Sequence, residues 1–443
     1  MTIPGRRVLL IAHYFPPVGG SGVQRVAKFT KYLPEQGWDV SVLTVQNPSA
    51  PVLDPSLEEE IPAETIVRYA RSWEPGRGIK HRLDAGAAGA LRQPGWAARF
   101  KRAIRRGVAG VLQPDPQILW FPAAVRQGRR LLRELPHDAI LVSGPPFSAF
   151  LIGTALRRQS GLPLVLDYRD EWSISNRYWE NKARSRLIDV VQRFFQRHVM
   201  RRTDAVLATT GRSARTLAAE AAAAGRAIPV ECLYNGFDPA DLPEFASPAS
   251  PAGEGSFRLS HVGTLWNLTT VRPLVQAVER LANERPELAT RLEVEILGRC
   301  TPAELALVER LRNLPCRLIR EDYLAHGLAV QRMRAADALC LLLADVPGAE
   351  RVVPGKTFEY LVTGREILAI APPGELSDVF AGFHGVVQLS PGDVAGIADY
   401  LAKRLSEERR TSLFSREMQR FDRRCQTGQL AGVLNRAVEE SRS

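Results

Sequence analysis

Short apolar runs alternate with helix-like stretches along the whole chain. The runs are continuous rather than alternating, which is typical of strands buried on both faces of a parallel sheet. In the first half, the pattern predicts strands at 7–12, 39–45, 65–70, 139–144, 163–168 and 205–210. In the second half, it predicts strands at 257–263, 292–299, 316–320, 337–344, 366–371 and 385–390. Since a helical pattern follows most strands, the chain is expected to have an α/β architecture.

A segment rich in Pro, Ala, Ser and Gly, FASPASPAGEGS at 245–256, separates the two halves. At 443 residues the chain is also too long for one ordinary core. We therefore predict two doubly wound, Rossmann-like domains facing a central cleft, at 1–245 and 257–415, joined by a linker at 246–256. A C-terminal helix within 416–443 is expected to pack back towards the N-terminal domain. Ligands of such sheets bind beyond the carboxyl ends of the strands.

The composition is that of a globular protein, with 45% apolar and 24% charged residues. No run reaches the roughly 18 apolar residues that would span a bilayer. The N-terminal apolar patch leads into a Pro/Gly loop rather than a cleavage site, which favours a cytoplasmic protein. The five cysteines form no C-x-x-C pair, so they indicate a reducing compartment and no structural metal.

The formal net charge of +11 favours anionic partners: nucleic acid, phosphorylated ligands or an acidic membrane face. No nucleic-acid motif or base-stacking array accompanies the charge, which argues against nucleic acid. Basic residues concentrate at 99–107 and 182–202. The second segment also carries an apolar stripe of Leu187, Val190, Val191, Phe194, Phe195 and Val199. This pattern predicts an amphipathic helix with a basic face, in which part of the apolar stripe packs in the domain core and the rest can lie on a membrane. The alternative is that the basic residues form an ordinary solvent-exposed helix face.

The loop after the first strand, HYFPPVGGSG at 13–22, is rich in glycine and leads into a helix. Gly19 and Gly20 allow dihedral angles that a side chain forbids, and backbone N–H groups at a helix start suit a phosphate. A tight strand-to-helix turn would use the same glycines. The G-x-G-x-x-G spacing of a dinucleotide site is absent.

Charged residues also follow other predicted strands. DYRDEWS at 167–173 places aspartates, an arginine and a glutamate at a strand end, where burial requires pairing or a ligand. An Arg169–Asp170 ion pair that fixes the loop is the structural alternative. In the second half, Gly263 and Thr264 follow a strand and precede Arg272, which is either a surface residue or part of a diphosphate clamp.

PGKTFEY at 354–360 places Lys356 three residues before Glu359 at a predicted helix start. The two side chains either pair with each other, which contributes a few tenths of a kcal/mol at an exposed site, or serve two parts of one ligand. The neighbouring segment TGREILAIAP predicts a glycine turn and a strand.

Five segments together resemble the retaining glycosyltransferases of family 4, which have the GT-B fold. They are HYFPPVGGSGVQRVAKFTKYL, GLPLVLDYRDEW, VGTLWN with RPLVQAV, DYLAHGLAVQRMRAADALCLLL and PGKTFEYLVTGREILAIAP. The resemblance spans nearly the whole chain and is closest to the branch that builds bacterial surface polysaccharides. It implies transfer of a sugar from a nucleotide-diphosphate donor to an acceptor, with retention and without a required metal or other cofactor.

The same resemblance implies roles for individual residues. Glu359 would bind the donor ribose, and Lys356 with Arg272 would bind its diphosphate. Gly263 and Thr264 would lie at the diphosphate, Gly19 and Gly20 against the phosphate and sugar. Arg299, with Tyr323 and Leu324, would frame the base. Catalysis would rest on positioning and on charge stabilisation, because the leaving phosphate itself takes the acceptor proton.

Two departures from the family pattern affect the sugar site. Arg351 occupies the position, eight residues before Glu359, where many members carry a glutamate that contacts the donor sugar. Arg169 and Asp170 stand where many members carry a histidine, so Asp170 is a candidate polar group beside the reacting sugar. His13, Arg169 and Trp172 are candidates for the acceptor side, which the region 72–135 would complete.

The leading hypothesis is a glycosyltransferase acting on a lipid-linked or polysaccharide acceptor at the inner membrane face. The segment 95–122 mixes Trp, Phe and Arg as an interfacial helix does, and would bind anionic lipid peripherally. A nucleotide-sugar 2-epimerase on the same scaffold is one alternative. A non-catalytic nucleotide-sugar-binding subunit of a polysaccharide assembly complex is another.

Overall fold

The computed structural model describes residues 5–48, 53–74, 112–178, 185–241, 255–407 and 416–442. The chain forms two compact units. Unit 1 comprises Met1–Tyr234 together with Gln426–Ser443, and unit 2 comprises Asn235–Cys425. The boundary therefore precedes the predicted linker, of which 246–254 lie outside the described residues.

Unit 1 contains a parallel seven-stranded sheet in the order β3-β2-β1-β4-β5-β6-β7. Its strands are β1 Arg6–Ala12, β2 Trp38–Val45, β3 Ile66–Ala70, β4 Ala139–Gly144, β5 Leu164–Tyr168, β6 Ala205–Ala208 and β7 Val230–Cys232. Its helices are α1 Ser21–Tyr32, α2 Phe121–Glu134, α3 Ser148–Ser160, α4 Trp172–Tyr178, α5 Arg186–Met200 and α6 Gly211–Ala223.

The sheet of unit 1 is covered on both faces, as its continuous apolar strands predict. On one face, Val26 and Phe29 of α1 pack with Leu430 and Leu434 of the C-terminal helix against Leu10. That helix is Arg423–Arg442, numbered α14 below. On the other face, helices α2 and α3 share a core with residues such as Leu9 and Ile140. The C-terminal residues are therefore part of the core of unit 1.

Unit 2 contains a parallel six-stranded sheet in the order β10-β9-β8-β11-β12-β13. The strands are β8 Phe257–Val262, β9 Leu292–Leu297, β10 Arg317–Glu321, β11 Ala338–Leu342, β12 Glu366–Ile370 and β13 Val386–Leu389. Its helices are α7 Arg272–Glu284, α8 Pro286–Ala289, α9 Pro302–Val308, α10 His326–Ala335, α11 Lys356–Thr363, α12 Glu375–Phe380 and α13 Val394–Ser406.

The prediction of two doubly wound parallel sheets is confirmed. Every predicted strand has a counterpart within a few residues; β7 was not predicted, because it has only three residues and Glu231 interrupts its apolar character. Within the described part of the chain, no helix is both long enough and apolar enough to cross a membrane.

Candidate active site

The strand order of unit 2 identifies one edge position for a ligand. From β8 the chain runs through α7 to β9 on one side, whereas β11 lies on the other side of β8. In doubly wound sheets, ligands bind at the carboxyl ends of the strands where the order reverses. In unit 2, this position lies between the ends of β8 and β11, and several polar side chains meet there.

His261 of β8 and Lys356 at the start of α11 form the centre of this cluster. The Nδ1 atom of His261 lies 2.9 Å from the carbonyl oxygen of Cys340 in β11. A carbonyl oxygen only accepts, so Nδ1 must carry the proton. Nε2 is then the acceptor, and it lies 3.0 Å from the Lys356 Nζ. The imidazole therefore holds the lysine amino group through its lone pair.

Both ionisable groups have depressed pKa values. Burial lowers the pKa of His261 well below its usual value, and the positive charge of Lys356 lowers it further, so His261 is neutral. Burial also lowers the pKa of Lys356, to about 7, although Cys340 and Glu359 oppose the shift. Near neutral pH the lysine is therefore ready to take up a proton when an anion arrives.

Gly263 and Gly298 leave room for the lysine at the ends of β8 and β9. Gly263 has a φ of 132°, and a Cβ atom there would lie 2.8 Å from Lys356 Nζ. A Cβ atom on Gly298 would collide with the carbonyl group of Gly263. The two loops are joined by a hydrogen bond of 2.8 Å from the Leu265 N–H to the carbonyl oxygen of Arg299. Gly263 is therefore favoured by its positive φ, and Gly298 by both its φ of 135° and the close approach of the Gly263 backbone.

Glu359 lies one turn into α11, and its carboxylate turns away from Lys356. Its Oε1 is 2.9 Å from Nε2 of His326, at the start of α10. On its other side, Nδ1 of His326 lies 3.8 Å from an oxygen of Asp241. The side chains of Glu359 and His326 are 26% and 18% exposed, so the carboxylate is still accessible to a ligand.

Tyr360 fixes the orientation of α11. Its buried hydroxyl accepts a hydrogen bond of 2.7 Å from the Val262 N–H at the end of β8, and lies 3.3 Å from the carbonyl oxygen of the same residue. Gly364, with a φ of 68°, ends the helix before β12. The predicted helix start, glycine turn and strand are thus confirmed. The hydroxyl anchor explains how Lys356 and Glu359 keep separate directions.

Other residues predicted for donor binding lie in loops or at helix starts near the same edge. Thr264, Arg272 and Arg299 are exposed, and Arg272 is the first residue of α7. Tyr323 is 38% exposed and Leu324 is partly exposed, just before α10. Their accessibility is consistent with ligand contact, and their roles remain predictions.

Arg351 lies in a short turn between β11 and α11. Its guanidinium is 2.8 Å from Glu350, whose other carboxylate oxygen accepts a hydrogen bond of 2.8 Å from the Gly348 N–H. Glu350 also contacts the start of α12, because a Cβ atom on Gly374 would collide with its backbone. The arginine at the expected acidic position is therefore next to a carboxylate that is tied to its own turn.

Unit 1 has its own order reversal between β1 and β4. Gly19 is partly exposed and Gly20 is exposed, and Gly20 precedes α1 with a φ of 113°. His13 also follows β1, but it is only 1% exposed. Its ring makes edge contacts with Tyr14 and Trp120 at 4.7 and 4.9 Å. The glycines are accessible in unit 1, whereas His13 is part of its interior.

The charged cluster after β5 is organised by a buried ion pair that the sequence did not indicate. Asp167 accepts two hydrogen bonds from Arg25 of α1, at 2.8 and 3.0 Å, and one of 2.7 Å from Ser143 of β4. Arg25 and Asp167 are both fully buried. Arg25 also donates to the carbonyl oxygen of Tyr234 at 2.9 Å. This network joins α1, β4 and β5.

Arg169 joins the first turn of α1 to the loop that follows β4. It donates to the carbonyl oxygens of Gly22 and Pro145, and the alternative of an Arg169–Asp170 ion pair is not found among the described residues. Desolvation by the surrounding protein raises the pKa of Asp170. The positive charge of Arg169 opposes this shift, and the negative charges of Asp167 and Glu171 increase it. Asp170 nevertheless presents surface to solvent, so it stays a candidate for ligand contact.

Trp172 lies in the core of unit 1 rather than on its surface. It is 1% exposed and stacks on Phe147 with ring centroids 4.4 Å apart. Its indole N–H donates to Gln192 at 2.5 Å. The structure therefore gives Trp172 a packing role in place of the predicted acceptor contact. The region 72–135, predicted for the same side, lies partly outside the described residues, at 75–111.

Three polar residues that the sequence did not single out belong to the site of unit 2: His261, His326 and Tyr360. His261 interrupts the apolar end of a strand two residues before Gly263, and His326 stands in a motif segment as the first residue of a helix. A polar residue inside a buried strand was the available signal for His261. The partners of both histidines are distant in sequence, at 95 and 33 residues, so periodicity could not pair them.

Comparison with known proteins identifies the family. The family model described as Glycosyltransferase Family 4 matches residues 18–241, just over half of the chain. The chain belongs to glycosyltransferase family 4. This family 4 protein has no match among curated protein sequences.

Solved glycosyltransferase structures share the fold of this family 4 protein over almost its entire length. HepE of Anabaena, in complex with UDP and glucose, matches with a TM-score of 0.61 and 16% identity, over 97% of this chain and 100% of its own. The UDP-forming trehalose-phosphate synthase of Burkholderia vietnamiensis has a TM-score of 0.62 and 12% identity, over 98% and 100%. WaaG, a glycosyltransferase involved in lipopolysaccharide biosynthesis, has a TM-score of 0.57 and 14% identity, over 98% of each chain.

Proposed function

We propose that the protein transfers a sugar from a nucleotide-diphosphate donor, with retention, to a lipid-linked or polysaccharide acceptor in cell-envelope glycan synthesis. The observation that carries this proposal is the Lys356 amino group at the strand-order reversal of unit 2. It is held 3.0 Å from a neutral imidazole and forms no ion pair with a described residue. A cation placed at this edge without a carboxylate partner suits an anionic ligand.

The donor is assigned to this edge by complementary chemistry. The diphosphate is proposed to meet Lys356, whose Nζ lies beside Gly263. Arg272 and the backbone of Gly263 and Thr264 are proposed to bind it as well. Glu359 accepts hydrogen bonds from the ribose hydroxyls, and Arg299, Tyr323 and Leu324 contact the base. The solved structures support this choice of donor, since HepE was crystallised with UDP-glucose and the trehalose-phosphate synthase is UDP-forming.

In the proposed reaction, the C–O bond between the anomeric carbon and the diphosphate breaks, and the diphosphate takes up the electron pair. The acceptor hydroxyl oxygen forms the new bond to the anomeric carbon on the same face, and its proton passes to the leaving phosphate. Negative charge grows on the leaving phosphate, so a positioned ammonium stabilises the transition state more than the ground state. Asp170 and Arg169 of unit 1, with Gly19 and Gly20, are proposed to meet the donor sugar or the acceptor. The role of WaaG in lipopolysaccharide biosynthesis supports an acceptor of the cell envelope.

A panel of nucleotide sugars tests the donor assignment by thermal shift. A ligand that binds only the folded state increases the free energy of unfolding by about 2.7 kcal/mol at a free concentration of one hundred times its Kd, and so raises the melting temperature. We expect at least one nucleotide sugar to raise it and the free sugars to leave it unchanged. If no member of the panel shifts the transition, the donor assignment is wrong.

Transfer and its alternatives give different products from the same labelled donor. A glycosyltransferase consumes the donor only with an acceptor present, and the product keeps the anomeric configuration of the donor. Isomerisation of the donor alone would identify a 2-epimerase. Donor binding with neither reaction across a range of envelope acceptors would favour the non-catalytic subunit.

Glu359→Gln tests the ribose contact. A hydrogen bond to a charged group contributes about 1.5–3 kcal/mol, so we expect the nucleoside diphosphate selected by the panel to bind roughly 10- to 150-fold more weakly. Its 2′-deoxy analogue, which lacks one partner of the carboxylate, should lose much less affinity. Titration calorimetry of both ligands measures the difference.

Glu309→Gln is the matched control for this experiment, because Glu309 is a partly exposed carboxylate of unit 2 whose one ion pair among the described residues is with Arg312. Equal losses for the ribose and deoxyribose ligands in Glu359→Gln would contradict a ribose contact.

A further inference from the structure

Helix α5 of unit 1 buries two glutamine side chains and exposes apolar side chains beside its charged ones. Gln192 and Gln196 are buried, and Gln192 is satisfied by Trp172 at 2.5 Å and by the carbonyl oxygen of Pro114 at 2.7 Å. Meanwhile Leu187 and Phe194 are 72% and 65% exposed. Folding of unit 1 therefore leaves an apolar stripe of the predicted amphipathic helix in water.

Val190, which is 53% exposed, lies between these two residues at helical spacing, so the stripe is continuous. Exposed apolar side chains that occur singly are ordinary, but a continuous stripe on one helix marks an interaction surface. The described structure of unit 1 uses this stripe in no internal packing. The other face of the same helix supplies Val199 and Met200 to the core.

A cavity of about 350 Å³ adjoins the stripe, between α2, α3 and α5. Its apolar lining includes Phe121 of α2, Leu151 of α3, and Phe194 and Phe195 of α5. This volume lies within the range of about 300–1,000 Å³ that is usual for small-molecule sites. We call this cavity, together with the exposed stripe of α5, the outer groove.

Three basic residues also line the outer groove: Arg158, His198 and Arg202. No acidic residue is among its described lining residues, and neither arginine forms an ion pair within the described part of the chain. Arg202 instead donates to the carbonyl oxygen of His198 at 3.1 Å. Burial and the positive charges of Arg202 and Arg201 lower the pKa of His198, so the field in the groove is positive.

We propose that the outer groove binds an anionic membrane phospholipid. One acyl chain lies in the cavity against Phe194 and Phe195, and the headgroup phosphate meets Arg158 and Arg202. The match between an apolar cavity with basic residues and a ligand that is apolar at one end and anionic at the other supports this occupant. This assignment rests on the proposed function, because the outer groove would hold the enzyme at the membrane that carries its lipid-linked acceptor.

Vesicle sedimentation tests the proposal with the full-length chain. We expect binding to vesicles of equimolar phosphatidylcholine and phosphatidylglycerol at low salt, release at high salt, and little binding to phosphatidylcholine alone. Phe194→Ser should weaken the partition coefficient about tenfold. Arg158→Gln with Arg202→Gln should weaken it about thirtyfold, since each basic residue contributes about one kcal/mol at an anionic surface.

Matched controls separate the groove from general charge and hydrophobicity. Arg280→Gln with Arg285→Gln removes the same charge from exposed positions of unit 2, and Leu53→Ser removes a half-exposed leucine of unit 1. Both should bind vesicles like the unchanged protein. The proposal would be overturned if Phe194→Ser bound vesicles as well as the unchanged protein does, or if the control variants lost as much binding as the groove variants. It would also be overturned if binding did not depend on lipid charge.

Soluble probes distinguish a lipid from a free anion. A short-chain phosphatidylglycerol below its micelle concentration should raise the melting temperature, whereas inorganic phosphate alone should not; a shift with phosphate as large as with the lipid would contradict the acyl-chain site. The nucleotide-sugar thermal shift is measured on the same variants. If Phe194→Ser no longer binds vesicles but its melting temperature still rises with the nucleotide sugar, the loss of lipid binding is assigned to the outer groove. Absence of any donor shift would count against the proposed function and leave the lipid result unaffected.

Discussion

Lys356→Met is expected to abolish sugar transfer and, at the same time, to stabilise the folded protein below about pH 7. The ammonium is the cation assigned to the leaving diphosphate. Removing one such preorganised donor costs on the order of 10²–10³-fold in rate in other enzymes. Donor affinity should fall together with the rate, because the charge contacts the diphosphate in the ground state as well.

The stability gain follows from the lowered pKa. Lys356 has a pKa of about 7 in the folded protein, against 10.5 for an ordinary lysine. Between these values the unfolded chain binds more protons, so stability rises with pH through this window, and the penalty is fully present below pH 7. Methionine carries no such penalty. Because each unit of pKa shift corresponds to about 1.4 kcal/mol, we expect a gain of a few kcal/mol.

Thermal unfolding of both proteins at several pH values measures this difference. The advantage of Lys356→Met should be largest near pH 6 and should shrink as the pH rises above 7. Lys403→Met is the control, since Lys403 is a 67% exposed lysine of the same unit and should change neither property. A Lys356→Met protein that is less stable than the unchanged chain at pH 6 would contradict the lowered pKa.

Donor binding should also take up a proton near pH 7.5. A bound diphosphate raises the pKa of Lys356 again, so affinity falls as the pH rises above 7, by at most about tenfold per pH unit. Calorimetry in buffers of different ionisation enthalpy detects the proton directly. Uptake should disappear in Lys356→Met; binding heats that are identical across buffers in the unchanged protein would argue against this coupling.

Local pattern predicted most of the fold because each strand is apolar in its own right. β1, β4 and β11 are buried along nearly their whole length, so no long-range information is needed to find them. β7 escaped prediction because its stability depends on pairing with β6, and its short sequence carries little signal of its own.

The candidate site was predictable only where a motif carries it. Lys356 and Glu359 are neighbours in sequence and were found together, with the helix start that separates them. The residue that holds the Lys356 amino group is not a neighbour in sequence, because His261 is 95 residues away. In unit 1, Arg25 and Asp167 are likewise 142 residues apart. Such pairs are determined by strand order and helix packing, which periodicity does not specify.

Removing one partner of the Arg25–Asp167 pair is expected to destabilise unit 1 more than removing one partner of any exposed ion pair. Both residues are fully buried, and the carboxylate is satisfied by Arg25 and Ser143. Arg25→Met leaves a buried carboxylate without its cation, which typically costs about 3–5 kcal/mol. Asp167→Leu should cost a similar amount, because it leaves the buried guanidinium without a carboxylate; among the described residues it keeps the Tyr234 carbonyl as a hydrogen-bond acceptor and the Phe29 ring at 5.0 Å.

The double variant Arg25→Met/Asp167→Leu should recover most of this loss, since an apolar pair of similar volume often replaces a buried ion pair without net cost. Urea unfolding followed by tryptophan fluorescence measures the cycle, because Trp38, Trp120 and Trp172 are buried in unit 1 and report its unfolding. Arg68→Met with Glu134→Leu is the control at a pair that is about one-third exposed, where coupling should stay near 0–1 kcal/mol. Additive losses in the buried pair would mean that the two charges are stabilised independently, and that the network does not join α1 to β5.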